Sequence, residues 1–275
     1  MQSTREKLVS RLLGSARPLR LYAPALIASR RTPSTRFVIL TGGRTGSELL
    51  VSLLGSHPEI VCDGELLNGY RPIWPERYIA ARAAAAGWHG AKAYGWKLLY
   101  SQFRTLPEFE PNADDFPLRL HERGYRIILL ERLDLLQTAI SYLRAQEQGR
   151  FHDTRGRHQK FTPLTIDPMA LIAAIYLIDE SAEYGRRIAQ RVPHLRMVYE
   201  HDLLDPRAQQ TTGDRVCRFL GVRPAPMATD LVKTAPVRTR DILANYAEIE
   251  EVLRGTRFAK YLNAGEAAES STPAG

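Results

Sequence analysis

The stretch VILTGGRTGSELL, residues 38–50, constrains this chain more than any other. Residues 37–40 (FVIL) form a short apolar, β-branched run suited to a buried parallel strand. After a glycine-rich turn, Leu49, Leu50, Leu53 and Leu54 recur at helical spacing, and Gly55 with Pro58 stops that helix. A helix N-terminus gathers unpaired N–H groups and a partial positive charge, so it binds anions readily. Gly42, Gly43 and Gly46 let the backbone come close to an oxyanion, while Thr45 and Ser47 add hydroxyl donors. An ATP-type loop reads GxxxxGK[ST], with lysine on the terminal phosphates and the hydroxyl on magnesium. Here Ser47 and Glu48 follow Gly46, and the positive side chain, Arg44, comes before the glycine. That order argues against a magnesium-dependent triphosphate site. An ordinary strand-to-helix turn is the plain alternative.

The rest of the chain repeats the strand–helix alternation. Residues 94–99 (YGWKLL) and 125–130 (YRIILL) read as strands. The second leads into a helix with a buried stripe of Leu135, Leu136, Ala139, Ile140 and Leu143. Asp167 and Pro168 open a long helix to about Gln190, and residues 195–199 (LRMVY) read as a further strand. Strands separated by helices predict one α/β domain over 36–262, with a mostly parallel central sheet flanked by helices. Residues 1–35 form a basic extension in which Leu8, Leu12 and Leu13 share a helix face. That segment either packs on the domain or touches an anionic membrane surface through residues 1–30. Residues 149–161 read as a basic loop, and the small, polar tail 263–275 as disordered.

Composition narrows the classes. Lysine and arginine exceed aspartate and glutamate by 38 − 30 = 8, which favours anionic partners without choosing among them. The two cysteines, Cys62 and Cys217, lack metal-ligand spacing, and a disulfide framework is not expected. No apolar run approaches the roughly 20 residues of a membrane span. A cytoplasmic protein without metal or nucleic acid is expected.

The GGRTGS loop resembles the phosphosulfate-binding loop of sulfotransferases, in which a basic residue precedes a Ser/Thr-Gly-Ser/Thr turn. The longer stretch RTGSELLVSLLGSHPEIVCDGELL is similar to the bacterial carbohydrate-type branch, which includes the trehalose and Nod-factor sulfotransferases. Glu48 departs from that pattern, because many members carry Ser or Thr there. The resemblance implies transfer of a sulfuryl group from 3′-phosphoadenosine 5′-phosphosulfate (PAPS) to an acceptor hydroxyl, on a carbohydrate or glycolipid. It implies cofactor contacts from Gly43, Arg44, Thr45, Gly46 and Ser47. A second anion pocket would come from Arg132, directly after a strand, and Ser141 on the next helix. Arginine suits such a phosphate because its planar fork donates two hydrogen bonds at once. Tyr199 and Arg240 (or Arg238) match late positions near the nucleotide, and a core tyrosine is the alternative for Tyr199.

The same resemblance puts Glu65 in CDGELL at the position of the base that takes the acceptor proton, where it could instead cap a helix. Lys97, among apolar neighbours in YGWKLL, matches an active-site lysine. Its alternatives are reaching out to solvent or pairing with a structural acid. Trp74, Trp88 and Trp96 could stack on sugars or fill the core. Residues 68–90 and 149–165 are the expected acceptor-selecting insertions. The competing readings are a nucleotide or phosphate-transfer kinase and a catalytically silent nucleotide-binding protein.

Overall fold

A computed structural model describes residues 32–68, 75–103, 112–148, 162–231 and 238–262 of the chain. Residues 1–31 of the basic extension, Trp74, the 149–161 loop and the polar tail lie outside these residues, and the last residue of the expected extension, Thr35, opens the first strand. Five strands form one sheet: β1 (Thr35–Thr41), β2 (Ile60–Glu65), β3 (Ala93–Leu99), β4 (Tyr125–Glu131) and β5 (His194–Val198). Their order is β2-β3-β1-β4-β5, and every pairing among the described residues is parallel, so the expected α/β fold is present.

Alternation along the strands builds a core on each face. Val38 and Leu40 of β1 point to the side covered by helices α2 (Pro75–Trp88), α4 (Phe116–Glu122) and the end of α6 (Pro168–Ala189). A four-residue helix α3 (Tyr100–Phe103) follows β3 on that side. Phe37 and Ile39 point to the other side, under α1 (Ser47–Gly55) and α8 (Pro206–Leu220), with the short helix α7 (Tyr199–Asp202) beside them. A third apolar cluster joins α5 (Leu135–Gln148) to α6, α9 (Thr239–Ile242) and α10 (Tyr246–Arg254). It buries Leu135, Leu136, Ala139 and Ile140 of the anticipated stripe, with Leu143 half-buried. Asp167 caps α6 by accepting a hydrogen bond from the Met169 N–H at 3.0 Å, so the predicted helix start is the observed one.

Three features differ from expectation. The strand β2 was not anticipated, because its apolar run is only Ile60, Val61 and Cys62, followed by the turn-like residues Asp63 and Gly64. Trp96 is fully buried in the core and is removed from any sugar-stacking role, whereas Trp88 at the end of α2 is exposed. Strand β5 ends at Val198, so Tyr199 opens α7 rather than closing the strand.

The sheet order locates a site. The connection leaving β1 runs to the β3–β2 side, and the one leaving β4 runs to β5, on the opposite side. Ligands of open α/β sheets bind beyond the carboxyl ends of strands whose connections diverge in this way. Here those are β1, which leads into GGRTGS, and β4, which leads into Arg132.

Candidate active site

Two side-chain clusters occupy the carboxyl edge of the sheet. The first surrounds the glycine loop. Gly46, the residue before α1, has φ of 83° and ψ of 15°, the left-handed region that glycine adopts without strain. A Cβ at that position would overlap the ring of Tyr199, so the same glycine also permits a close approach by α7. Arg44 takes φ of 61°, the one positive value outside glycine among the described residues. Nothing lies within 4 Å of where a Cβ on Gly43 would stand, so the loop backbone is open there. Ser47 begins α1 and is buried. The Thr45 hydroxyl turns inward, 2.6 Å from Thr41 Oγ1, which in turn donates to the Leu130 carbonyl at 2.9 Å. That side chain therefore braces the loop against β4.

Arg44 reaches across to α5, where its Nε donates to Ser141 Oγ at 3.0 Å. Arg132 closes the other side, with Nη1 donating to the Arg44 carbonyl at 3.2 Å and its guanidinium stacked 4.9 Å from the Tyr199 ring centroid. The Arg132 side chain is only 11% exposed. Its Nε is buried with no hydrogen-bond partner among the described residues and lies 3.8 Å from Glu200 Oε1. Glu200 itself accepts from the backbone N–H groups of Leu133 and Asp134, both at 3.0 Å, and so fixes the turn that carries Arg132. Burial, and then the like charges of Arg132 and Arg144, push the Arg44 pKa down, while Glu48 opposes them. Burial also raises the Tyr199 phenol, against the pull of Arg132. An arginine stays charged regardless, so crowded cations with an unsatisfied buried N–H make a pocket suited to a multiply charged anion. Arg144 was not singled out from the sequence, although it lies three residues after Ser141 and so on the same helix face.

The second cluster lies beside β1 on the α1 side of the sheet. Lys97, 2% exposed, is paired in register with Glu65 of β2, and its Nζ lies 2.9 Å from Glu65 Oε1. It also forms an ion pair with Glu48 in the first turn of α1. The second oxygen of Glu65 accepts from Gln102 Nε2 at 2.8 Å, and Gln102 Oε1 accepts from the Leu99 N–H at 3.0 Å. That backbone bond fixes which way the Gln102 amide faces.

A β-bulge makes this arrangement possible. Asp63 pairs with Trp96 and Glu65 with Lys97, so Gly64 is an extra residue in β2. Simple alternation would have put Glu65 on the same face as Asp63, which bonds Tyr94 Oη at 2.8 Å and Arg82 on the α2 side. The inserted residue turns Glu65 to the α1 side, beside Lys97. Lys97 therefore does not reach out to solvent, and Glu65 lies at a strand end rather than at a helix cap.

Of the residues expected at the site, Arg44, Gly46, Arg132, Ser141 and Tyr199 converge on one cluster, and Glu65 with Lys97 on the other. Arg240 is exposed on α9, its guanidinium 5.7 Å from the Tyr246 ring centroid, and Arg238 pairs with Asp241 at 3.6 Å. α9 is tied to α5 by a hydrogen bond from Gln137 Nε2 to Thr239 Oγ1 at 3.2 Å. Among the described residues no group of three or more His, Cys, Asp or Glu side chains is arranged to hold a metal ion.

The carboxyl edge of the parallel sheet thus carries a glycine loop flanked by Arg44 and Arg132 and, beside it, a buried lysine–carboxylate pair. The chain is similar to known nodulation proteins over most of its length. It is 27% identical over 260 residues to Nodulation protein H of Rhizobium tropici, covering 87% of this chain and 96% of that one. It is 26% identical over 250 residues to Nodulation protein H of Rhizobium meliloti, covering 83% and 95%. No family model matches the chain. A solved sulfotransferase from Alicyclobacillus acidocaldarius aligns with 84% of this chain and 94% of its own, at 15% identity and a TM-score of 0.43.

Proposed function

We propose that the protein is a sulfotransferase that takes its sulfuryl group from PAPS and delivers it to a hydroxyl of a saccharide or glycolipid. The observation that carries this reading is the convergence of Arg44, Arg132 and Ser141 at the divergence of β1 and β4, with the buried Arg132 Nε left without a hydrogen-bond partner. These residues suit a nucleotide bearing phosphate at two positions, one over the N-terminus of α1 and one between Arg132 and α5. The donor supplies an activated sulfuryl group. The chain's own work is to hold, orient and deprotonate. Tyr199 packs against Gly46 and under Arg132, and so fixes the loop and the guanidinium relative to each other.

Glu65 takes the proton of the acceptor hydroxyl as that oxygen attacks. Its carboxylate is oriented through both oxygens, by Lys97 and Gln102, which holds the proton acceptor in one geometry. Lys97 also balances the charge that gathers between Glu65 and the loop. Both described cysteines are free, which agrees with a reducing, cytoplasmic setting. Among the described residues no helix is long and apolar enough to cross a membrane.

Thermal unfolding tests the donor assignment. Adenosine 3′,5′-bisphosphate at 100 times its dissociation constant should add about 2.7 kcal/mol to stability, a plain rise in Tm. Adenosine diphosphate, and ATP with magnesium, should give much smaller shifts. A larger shift with ATP and magnesium would transfer the site to the kinase reading.

A further inference from the structure

Glu48 is the residue that the sulfotransferase resemblance does not explain. It occupies the second position of α1, where an ATP-type loop carries the hydroxyl that holds magnesium. An acid so close to an anion-binding helix terminus repels an incoming oxyanion, unless its charge is taken up elsewhere. In this protein it is taken up by Lys97, a buried cation that Glu48 shares with Glu65. The two carboxylates are held differently. Glu65 is 17% exposed and fixed through both oxygens, whereas Glu48, one residue into α1 from the loop, is 36% exposed. Two carboxylates on one lysine leave a net negative charge, which Arg44 offsets across the loop. The terminal group of any donor bound over α1 and within reach of Glu65 must lie beside this nearly balanced set.

We propose that Glu48 is a specificity-determining residue that admits a monoanionic terminal sulfuryl group and disfavours a dianionic terminal phosphate. This inference rests on the donor assignment above. A sulfuryl group on a phosphate carries one negative charge at any pH near neutrality, whereas a terminal phosphate loses its second proton near about pH 6. Among the described residues, the additional charge meets Glu48 and Glu65, whose shared lysine is already committed to both. By Coulomb's law with an effective dielectric near 20, one unit charge about 6–12 Å away corresponds to about a 10- to 100-fold loss of affinity. The position that in ATP-type loops recruits magnesium thus becomes a filter against phosphate donors.

The test is calorimetric binding of two nucleotides that differ in the terminal group: PAPS and adenosine 3′-phosphate 5′-diphosphate, without magnesium. Among the described residues, the charged and titratable groups facing Glu48 include Lys97 from β3, Arg44 from the loop, and Cys62 and Glu65 from β2. Adenosine 3′,5′-bisphosphate, which lacks the terminal group, is measured in parallel to subtract any titration of theirs.

At pH 8 the unmodified protein should prefer the phosphosulfate by about tenfold or more. The preference should shrink at pH 5.5, where the terminal phosphate regains a proton. Glu48→Gln should shrink it at pH 8, and Glu48→Asp should retain it. The pH arm needs no variant and stands even if Glu48→Gln does not fold. A preference unchanged by both pH and Glu48→Gln overturns the filter while leaving the donor assignment intact. Failure of all three nucleotides to bind the unmodified protein would overturn the donor assignment and the filter together.

Discussion

The two clusters at the carboxyl edge of the sheet are built on opposite principles. Around Arg44, Arg132 and Ser141 the protein gathers positive charge and leaves a buried guanidinium N–H without a partner. Around Lys97 it gathers opposite charges and joins each to another: lysine to two carboxylates, Glu65 to Gln102, and Gln102 to the backbone. The first cluster gathers Arg44, Arg132 and Arg144 around a buried Nε that has only a long ion pair to Glu200, which suits it to a further anion. The second is complete in itself and holds a carboxylate in a fixed orientation, as a group that handles protons must be held. On the proposed function, binding and chemistry are thereby divided between two clusters along one sheet edge.

Substitutions can break this contrast, starting with the largest effect. Glu65→Gln should cut turnover roughly 10²–10⁴-fold, the usual contribution of a general base, and leave affinity for adenosine 3′,5′-bisphosphate nearly unchanged. Single-turnover kinetics beside calorimetry separates the two, and a loss confined to binding would sink the role. Lys97→Met leaves Glu65 without its buried counter-ion and should cost about 3 kcal/mol in denaturant unfolding. The double variant Lys97→Met/Glu65→Gln should recover part of that loss. If single and double variants are equally unstable, ion pairing is not what Lys97 provides.

Arg132→Ala acts on the other cluster, and its expected signature is reversed. A charge-assisted hydrogen bond is worth about 1.5–3 kcal/mol, so nucleotide affinity should fall by about 10- to 150-fold. Relief of cation crowding around Arg44 should leave the empty protein little changed in Tm. An unchanged dissociation constant would remove Arg132 from the pocket. The smallest effect belongs to Gln102→Leu, which removes one of the two bonds that orient Glu65. A net hydrogen bond of about 0.5–1.5 kcal/mol translates into about a 2- to 12-fold fall in kcat. Gln102→Glu should fall further, because it sets a second acid against Glu65, and equal kcat values for the two variants would show that the orientation does not matter.

The sequence by itself determined the parts whose signals are local. The run into GGRTGS gave β1, the loop and α1, because strand, glycine turn and helical spacing all lie within 20 residues. Arg132 was legible because it directly follows the apolar run of β4, and the start of α6 because Asp167 and Pro168 are a cap and a first-turn residue side by side. Ser141 was legible only through the family pattern.

Only the tertiary structure decided the rest. β2 was invisible because its apolar run is only three residues long, Ile60 to Cys62, and the turn-like Asp63 and Gly64 cut it short. The face that Glu65 takes depends on one extra residue, Gly64, and a slip of one residue reverses every side chain beyond it. Whether Lys97 meets solvent or an acid depends on the register of β2 against β3 and on α1 lying over both. The bond from Arg44 to Ser141 joins residues 97 positions apart, and the stacking of Arg132 on Tyr199 joins two strand ends. Local pattern specifies the elements, because backbone propensity and periodicity act over a few residues. The pairing of charges between elements is set by register and packing, which no short stretch encodes.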